Sequence, residues 1–419
     1  MEKKKILWMS NVRFTASSMK ATGTWLQPLA EAVAATDAFE VYHIASGSVG
    51  TVIQEEVAGI HQYVLPIRKN KKRTQIPNDV TCQEVGDIIE RINPDLIHIW
   101  GTESIWAYMK KLGIFGCRKA LLDMQGLMLS CYESYFGGLS LVECVKCIGI
   151  KEIRRPSSSI FLLKHKFKRW ASVEKEILDS FDYISYQSEW IKNRLLGYNL
   201  KAKLFATKII LRKDFYQHSW KPTQNISPIL FTISSGSVPY KGLTTLLKAC
   251  KVLKKRYPNF ELRVAGNMMN VTYGIMNGYD SFVFNLIKRY ELRDNVKFLG
   301  SISSEEIIKQ HLLSDVCVVP SYVESYCLGL AEAMAVGVPT VCAYSAALPT
   351  IALDKNESLF YNSLDYTDCA VKIIQLFEDK QYSVYLSRNG RMRREMDNNC
   401  ESVVSTQLSI YNQILNLEN

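Results

Sequence analysis

The chain has 419 residues, 47 % of them hydrophobic and 22 % charged, which suits a globular protein with two cores rather than one. No run approaches the roughly 18 consecutive apolar residues of a membrane-crossing helix, and the apolar part of MEKKKILWMSNVRF is too short for a signal peptide. The net charge of +10 fits either a solvated basic surface or an anionic partner such as lipid headgroups, a phosphorylated lipid acceptor or nucleic acid.

In chain order, KILWMSN (5–11) reads as a strand, followed by a loop through Gly23 and an apolar-periodic helix, WLQPLAEAVAA (25–35). FEVYHIA (39–45) and QYVLPI (62–67) read as strands, and a basic run, RKNKKR (68–73), follows them. EVGDIIERI (84–92) reads as a helix, and NPDLIHIWG (93–101) as turn, strand and strand-end loop, with His98 suited to the core. ALLDMQG (120–126) is another strand. The eleven cysteines are scattered and odd in number, which favours a reducing cytosol over a disulfide framework. Cys144 and Cys147 form one CxxC without a second pair, so no metal or redox role is expected of them. IFLL (160–163) followed by KHKFKRW (164–170) interleaves cations with Phe161, Leu162, Leu163, Phe167 and Trp170, as an interfacial helix on an anionic membrane would. No nucleic-acid motif accompanies the basic runs, so no nucleic-acid partner is expected. SVEKEILDSF (172–181) then reads as a helix and DYISYQSEW (182–190) as a strand. This alternation makes residues 1–200 a Rossmann-like domain.

Residues 201–227, with LRKDFY (211–216) and the turn-rich KPTQNISP, read as a linker. The alternation restarts over 228–398. PILFTISSG (228–236) is a strand, PYKGLTTLLKACKVLKKRYP (239–258) a loop and helix, and FELRVAGN (260–267) a strand and turn. VKFLG (296–300) is a strand, SEEIIKQHLLSD (304–315) a helix, and SLFYNSLDYTDCAVKIIQLFED (358–379) a strand and helix. An amphipathic helix, ESVVSTQLSIYNQILNL (401–417), ends the chain.

The stretch from Asp315 to Pro349 is the most informative. VCVVP (316–320) suits a buried parallel strand, and SYVESY a loop at its carboxyl end, where open α/β sheets bind ligands. LGLAEAMAV (328–336) is a helix that stops on Gly337 with Pro339 beyond, and TVCAY (340–344) is the next strand. Glu324 lies in the loop and Glu332 in the helix; between Glu324 and Asp354, Glu332 is the single charged residue. Leu328, Ala331, Glu332 and Ala335 share one face. A lone carboxylate on an apolar helix costs several kcal/mol unless something pairs with it, so either an internal group or a ligand satisfies Glu332. Lys241, after a strand and just before a helix, adds an ammonium to a helix N-terminus, two positive features converging on one anion.

ESYCLGLAEAM resembles the E-x7-E signature of retaining GT-B glycosyltransferases, in particular glycosyltransferase family 4 (glycosyl transferases group 1). PDLIHIWGTES resembles that family's PD-x-x-H-x-h-G segment, where h is apolar, and the QG of LLDMQG together with LRKDFY is similar to a subset of bacterial capsule and surface-polysaccharide transferases. The resemblance implies two doubly wound domains facing across a cleft, with a terminal helix (399–419) crossing back to the first. It implies a hexosyltransferase using a nucleotide-sugar, UDP- or GDP-linked, and a glycan or polyprenyl-linked acceptor. No metal or other cofactor is implied, and the setting would be cytoplasmic, peripheral on the inner face of the membrane. Lys241 and Glu324 would be catalytic. Glu332 would bind the ribose hydroxyls, and Glu324 with the backbone of Ser325, Tyr326, Cys327 and Leu328 would hold the sugar and diphosphate. Gly266 and Gly300 would admit the base, Gly23 would pass near the donor phosphates, and Gln125 and Trp100 would lie on the acceptor side. Three departures stand out: Gly236 where relatives carry an arginine, Gln125 where many carry a histidine, and Ser325 and Cys327 where most carry glycines.

Rival readings are weaker. A glycosidase needs two carboxylates flanking a sugar bond, and a dehydrogenase needs G-x-G-x-x-G after its first strand, which KILWMSNVRFTASS lacks. A catalytically degenerate nucleotide- or carbohydrate-binding protein and a sugar-nucleotide epimerase share the architecture and stay open as alternatives.

Overall fold

A computed structural model describes residues 3–15, 25–71, 74–198, 201–223, 226–234, 237–267, 271–272 and 275–417. Contacts divide the chain into two compact units. The first comprises Met1–Leu129, Lys168–Arg212 and Asp397–Asn419; the second comprises Ser130–Phe167 and Lys213–Met396. The units differ from the expected boundaries of 1–200, 201–227, 228–398 and 399–419. Ser130–Phe167 leaves the first domain for the second, and the expected linker is not a separate segment.

The first unit's strands are β1 (Lys5–Met9), β2 (Glu40–Gly47), β3 (Ile53–Val57), β4 (Ile60–Pro66), β5 (Leu96–Trp100), β6 (Lys119–Asp123), β7 (Tyr183–Tyr186) and β8 (Lys203–Ala206). Their order is β3-β4-β2-β1-β5-β6-β7-β8, parallel throughout except for the β3/β4 pair. β8 pairs with β7 and lies inside the expected linker. Its four residues alternate poorly in hydrophobicity, which hid it from the sequence pattern. β5 is buried along its whole length, as a central parallel strand should be.

The second unit's strands are β9 (Ile229–Ile233), β10 (Glu261–Ala265), β11 (Val271–Thr272), β12 (Ile275–Met276), β13 (Val296–Gly300), β14 (Val316–Val319), β15 (Thr340–Ala343) and β16 (Leu359–Tyr361). The main sheet runs β13-β10-β9-β14-β15-β16 in parallel, while β11 and β12 form a small antiparallel pair. The chain winds outward from β9 through β10 to β13, then returns to the other side of β9 with β14. The β9/β14 junction is therefore the topological switch point, where neighbouring connections diverge and leave a crevice.

The Ser130–Phe167 segment contributes Tyr135, Cys144, Cys147 and Ile160 to the second unit's core. Cys144 and Cys147 are buried free thiols, both pushed up by burial, Cys147 to about 12. They pack as small hydrophobes.

Candidate functional site

The switch point of the second sheet brings together the two residues expected to act. Lys241 follows β9 and Glu324 follows β14; Lys241 Nζ donates to Glu324 Oε1 at 2.7 Å, with both side chains mostly buried. The loops are fixed by backbone. Pro239 opens a single 3₁₀ turn ending at Lys241, and Gly242 reverses the chain at φ +75° before the helix Leu243–Leu253. A Cβ at Gly242 would lie 1.9 Å from Pro320 O, so only glycine lets the lysine turn sit against the end of β14. Tyr322 N donates to Tyr240 O at 2.8 Å, tying loop to loop. Burial alone would lower the Lys241 pKa, but the Glu324 carboxylate outweighs it and holds the ammonium above its usual value.

Helix Leu328–Val336 starts beside Glu324 and ends at Gly337, φ +92°. Its first-turn N–H groups lack partners within the helix, which favours an anion there. Glu332 is 9 % exposed on this helix and interacts with the surrounding protein. Cys327 caps the helix at φ +82°, a left-handed conformation unusual for a residue with a Cβ. Ser325 and Leu328 are half-buried beside it. Tyr326 is turned inward: its hydroxyl accepts from Arg394 Nη1 at 3.1 Å, while Arg394 Nη2 donates to Ile351 O at 2.7 Å. Arg394 is 1 % exposed, and its carbonyl accepts from Tyr216 of the LRKDFY segment. Sequence reasoning missed Arg394, because a cation at the end of a polar helix carries no pattern of its own. On the same side of the sheet, Gly266 (φ +120°) donates from its N–H to Gly300 O at 2.8 Å, and Gly300 (φ +69°) faces open space. Gly23 and Gly236 lie outside the described residues.

In the first unit, Gln125 Nε2 donates to Asp123 at the end of β6, and Asp123 also accepts from Ser185 Oγ at 2.7 Å and Gln187 Nε2 at 2.8 Å. Burial pushes the fully buried Asp123 carboxyl up to about 7 against those hydrogen bonds. Glu174 is likewise pushed to about 7 by burial, although it accepts from Thr102 Oγ1 at 2.5 Å and Met128 N at 2.9 Å. Burial raises Glu103, after β5, as well. None of these carboxylates was singled out from sequence. Asp123 was readable by the argument applied to Glu332, a lone acid closing an apolar run.

Trp100 differs from expectation: it is 3 % exposed and packs among Trp8, Trp25 and His98, with ring centroids 4.0–5.4 Å apart. The apolar period of β5 turns it into the core. His98 is a core histidine, its Nδ1 2.7 Å from Tyr411 Oη and its pKa well lowered by burial. The basic run at 160–170 also divides. Leu163 and Phe167 pack on the second unit's core, whereas Phe161 and Leu162 stay exposed. Among the described residues, no three His, Cys, Asp or Glu side chains are grouped to hold a metal ion.

Residues 217–393 match the family described as glycosyl transferases group 1. Over 140 residues the chain is 31 % identical to D-inositol 3-phosphate glycosyltransferase of Corynebacterium aurimucosum, covering 33 % of this chain and 32 % of that protein. The chain spans between about a third and a half of the first curated relatives it matches. Among solved structures, sucrose-phosphate synthase of Thermosynechococcus elongatus superposes with a TM-score of 0.72 at 19 % identity, covering 99 % of this chain and 100 % of that one. Anabaena HepE in complex with UDP-glucose gives 0.66 at 14 % identity, covering 99 % and 100 %. The fold is thus that of the GT-B glycosyltransferases, two doubly wound parallel-sheet domains.

Proposed function

We propose that the protein is a retaining, metal-independent glycosyltransferase of family 4 type. It moves a hexose-type sugar from a UDP- or GDP-linked donor to a glycan or polyprenyl-linked acceptor in bacterial surface-polysaccharide synthesis. The observation that carries this reading is the Lys241–Glu324 pair at 2.7 Å, set at the switch point beside the start of helix Leu328–Val336. The match of residues 217–393 to the glycosyl transferases, and the UDP-glucose in HepE, support a nucleotide-sugar as the ligand.

As the glycosidic bond breaks, negative charge gathers on the departing diphosphate. Lys241 and the first-turn N–H groups are fixed where that charge develops, so they stabilise it without reorganising. Glu324 keeps Lys241 charged and aimed before the donor arrives, then holds the sugar. Glu332, on the helix above, accepts from the ribose hydroxyls.

The test is thermal melting with UDP-, GDP-, ADP- and CMP-linked sugars. At about 100 times its dissociation constant, the cognate donor should add about 2.7 kcal/mol of stability. Lys241→Ala and Glu332→Ala should abolish the shift. Release of free nucleotide only when acceptor is present marks a transferase, whereas binding without turnover marks a binding protein. No shift with any donor overturns the reading.

A further inference from the structure

The Ser130–Phe167 segment has a finished inner face and an unfinished outer one. Inward, Cys144, Cys147 and Ile160 are buried in the second unit's core, and Glu143 pairs with Lys248 at 2.8 Å. Glu152 is 3 % exposed and accepts from Gly149 N at 3.0 Å and Ser158 Oγ at 3.3 Å. Outward, Leu141, Val142, Val145, Ile150 and Ile153 are 61–79 % exposed, and Leu162 is 46 % exposed. Scattered exposed apolar side chains are ordinary; this many within one short, well-anchored segment mark an interaction surface.

Within Leu141–Leu162 the exposed charged residues are all cations. Between Ser134 and Phe167 the cations are Lys146, Lys151, Arg154, Arg155, Lys164 and Lys166, and the only carboxylates are Glu143 and Glu152, both engaged inward. Lys146, Arg154 and Arg155 are exposed. Cations ringing an outward apolar face suit an anionic lipid interface, where apolar side chains enter the headgroup boundary and ammonium and guanidinium groups meet phosphates. A second copy of the chain fits poorly, because a two-fold contact through this patch would set the same cations against each other.

We propose that Leu141–Leu162 is a docking surface for an anionic lipid bilayer. The surface is part of the second unit, not of a lone helix at 160–170. Gly137 and Gly138 of the same segment pack on Tyr322 of the Glu324 loop: a Cβ at Gly138 would lie 2.1 Å from the Tyr322 hydroxyl, which is itself 2.8 Å from Thr245 Oγ1. The lipid-facing segment is therefore seated directly on the loop that holds Glu324. The surface stands on its own exposure and charge; only its use with a lipid-linked acceptor rests on the proposed transfer reaction.

The experiment is sedimentation of the full chain with vesicles of phosphatidylglycerol and phosphatidylcholine, against phosphatidylcholine alone, at about 50 mM salt to limit screening. The protein should sediment with the anionic vesicles only. Arg154→Ala with Arg155→Ala should weaken partitioning about 30-fold, as two surface cations contribute about 1 kcal/mol each. Val145→Asp with Ile153→Asp should weaken it about tenfold or more. Both pairs lie on the exposed face, so melting temperature and donor-induced shift should match the wild type, which separates failure of this proposal from failure of the donor-site reading. Wild type that stays in the supernatant, or variants that sediment undiminished, overturn it. So does a dimer in light scattering that Val145→Asp with Ile153→Asp breaks, which would make the patch a contact between copies.

Discussion

At the switch point of the second sheet an ammonium and a carboxylate meet at 2.7 Å; past the strand ends of the first, Glu103, Asp123 and Glu174 are three carboxylates all raised by burial. The partners of Asp123 and Glu174 are hydroxyls, side-chain amides and backbone N–H groups. In the second unit the Glu324 carboxylate holds the Lys241 ammonium above its usual value, which leaves a cation ready to meet an anion. Burial shifts the acids of the first unit toward the neutral form against hydrogen bonds that favour the carboxylate, so that Asp123 and Glu174, at about 7, are poised between the two near neutral pH. One sheet end pairs its carboxylate with a cation; the other surrounds Asp123 and Glu174 with neutral donors.

The largest expected effect tests the acid side of that contrast. Asp123 has a folded pKa of about 7, above the 3.8 of the free side chain. A raised pKa means the folded state binds the proton more tightly. Its contribution to stability is fully present below about pH 4 and is lost as pH rises through 7. Across that window the loss is of the order of 4 kcal/mol, from about three pKa units at 1.36 kcal/mol each. Asp123→Asn keeps the acceptors for Gln125 and Gln187, and its amide can donate to Ser185. The variant should therefore lose the pH dependence that this carboxyl contributes: relative to wild type it gains stability at pH 8 and not at pH 4. Urea denaturation at both pH values checks this, and an equal difference at the two would show that Asp123 titrates normally.

A somewhat smaller effect tests the charged side. Gly242→Ala puts a Cβ 1.9 Å from Pro320 O at a residue with φ +75°. Backbone has to move, at a cost of about 2–4 kcal/mol for the left-handed conformation and overpacking together. Since Gly242 follows Lys241 directly, the lysine moves with it. Donor affinity should fall even at temperatures where the fold survives, measured by calorimetric titration with the donor identified by melting. Unchanged affinity would mean that the lysine turn is not positioned by its contact with Pro320.

Much of the second site was legible because its signals are local. The run from Val316 to Ala343 alternates strand, loop, helix and strand with stops at Pro320 and Gly337, and the structure follows it within a residue or two. Lys241 and Glu324, 83 residues apart, met because their strands are neighbours at the switch point, which topology rules anticipate. What was lost is non-local. Ser130–Phe167 reads as part of the first half of the chain, and it is its tertiary contacts, among them those with Lys248, Tyr240 and Tyr322, that assign it to the second unit. The helices Gly278–Arg289 and Lys380–Asp397 escaped too. The first carries a regular apolar period in Tyr279, Phe282, Val283, Leu286 and Ile287 and was legible, whereas the second is polar over most of its length and is stabilised by tertiary contacts. In the first unit, the carboxyls of Glu103 and Glu174 gain significance only once the fold buries them.

The smallest effect concerns a single left-handed residue. Cys327 sits at φ +82°, at the start of the helix proposed to hold the diphosphate. An L-residue in that region loses about 1–2 kcal/mol, while glycine loses about 0.5–1 kcal/mol of additional chain entropy on folding. The strain is the larger of the two, leaving Cys327→Gly more stable by about 0.5–1 kcal/mol, or about 1–4 °C in a unit of this size. Cys327→Ala separates backbone from thiol: it removes the sulfur but keeps the Cβ, so the glycine variant should melt above the alanine variant. If alanine and glycine melt together, the left-handed turn carries no strain and the cysteine was tolerated for free. If glycine melts higher and also turns over faster with the same donor, the Cβ narrows the sugar pocket. The strain would then be part of how this site selects its sugar, as residues in rare backbone conformations at functional loops often are.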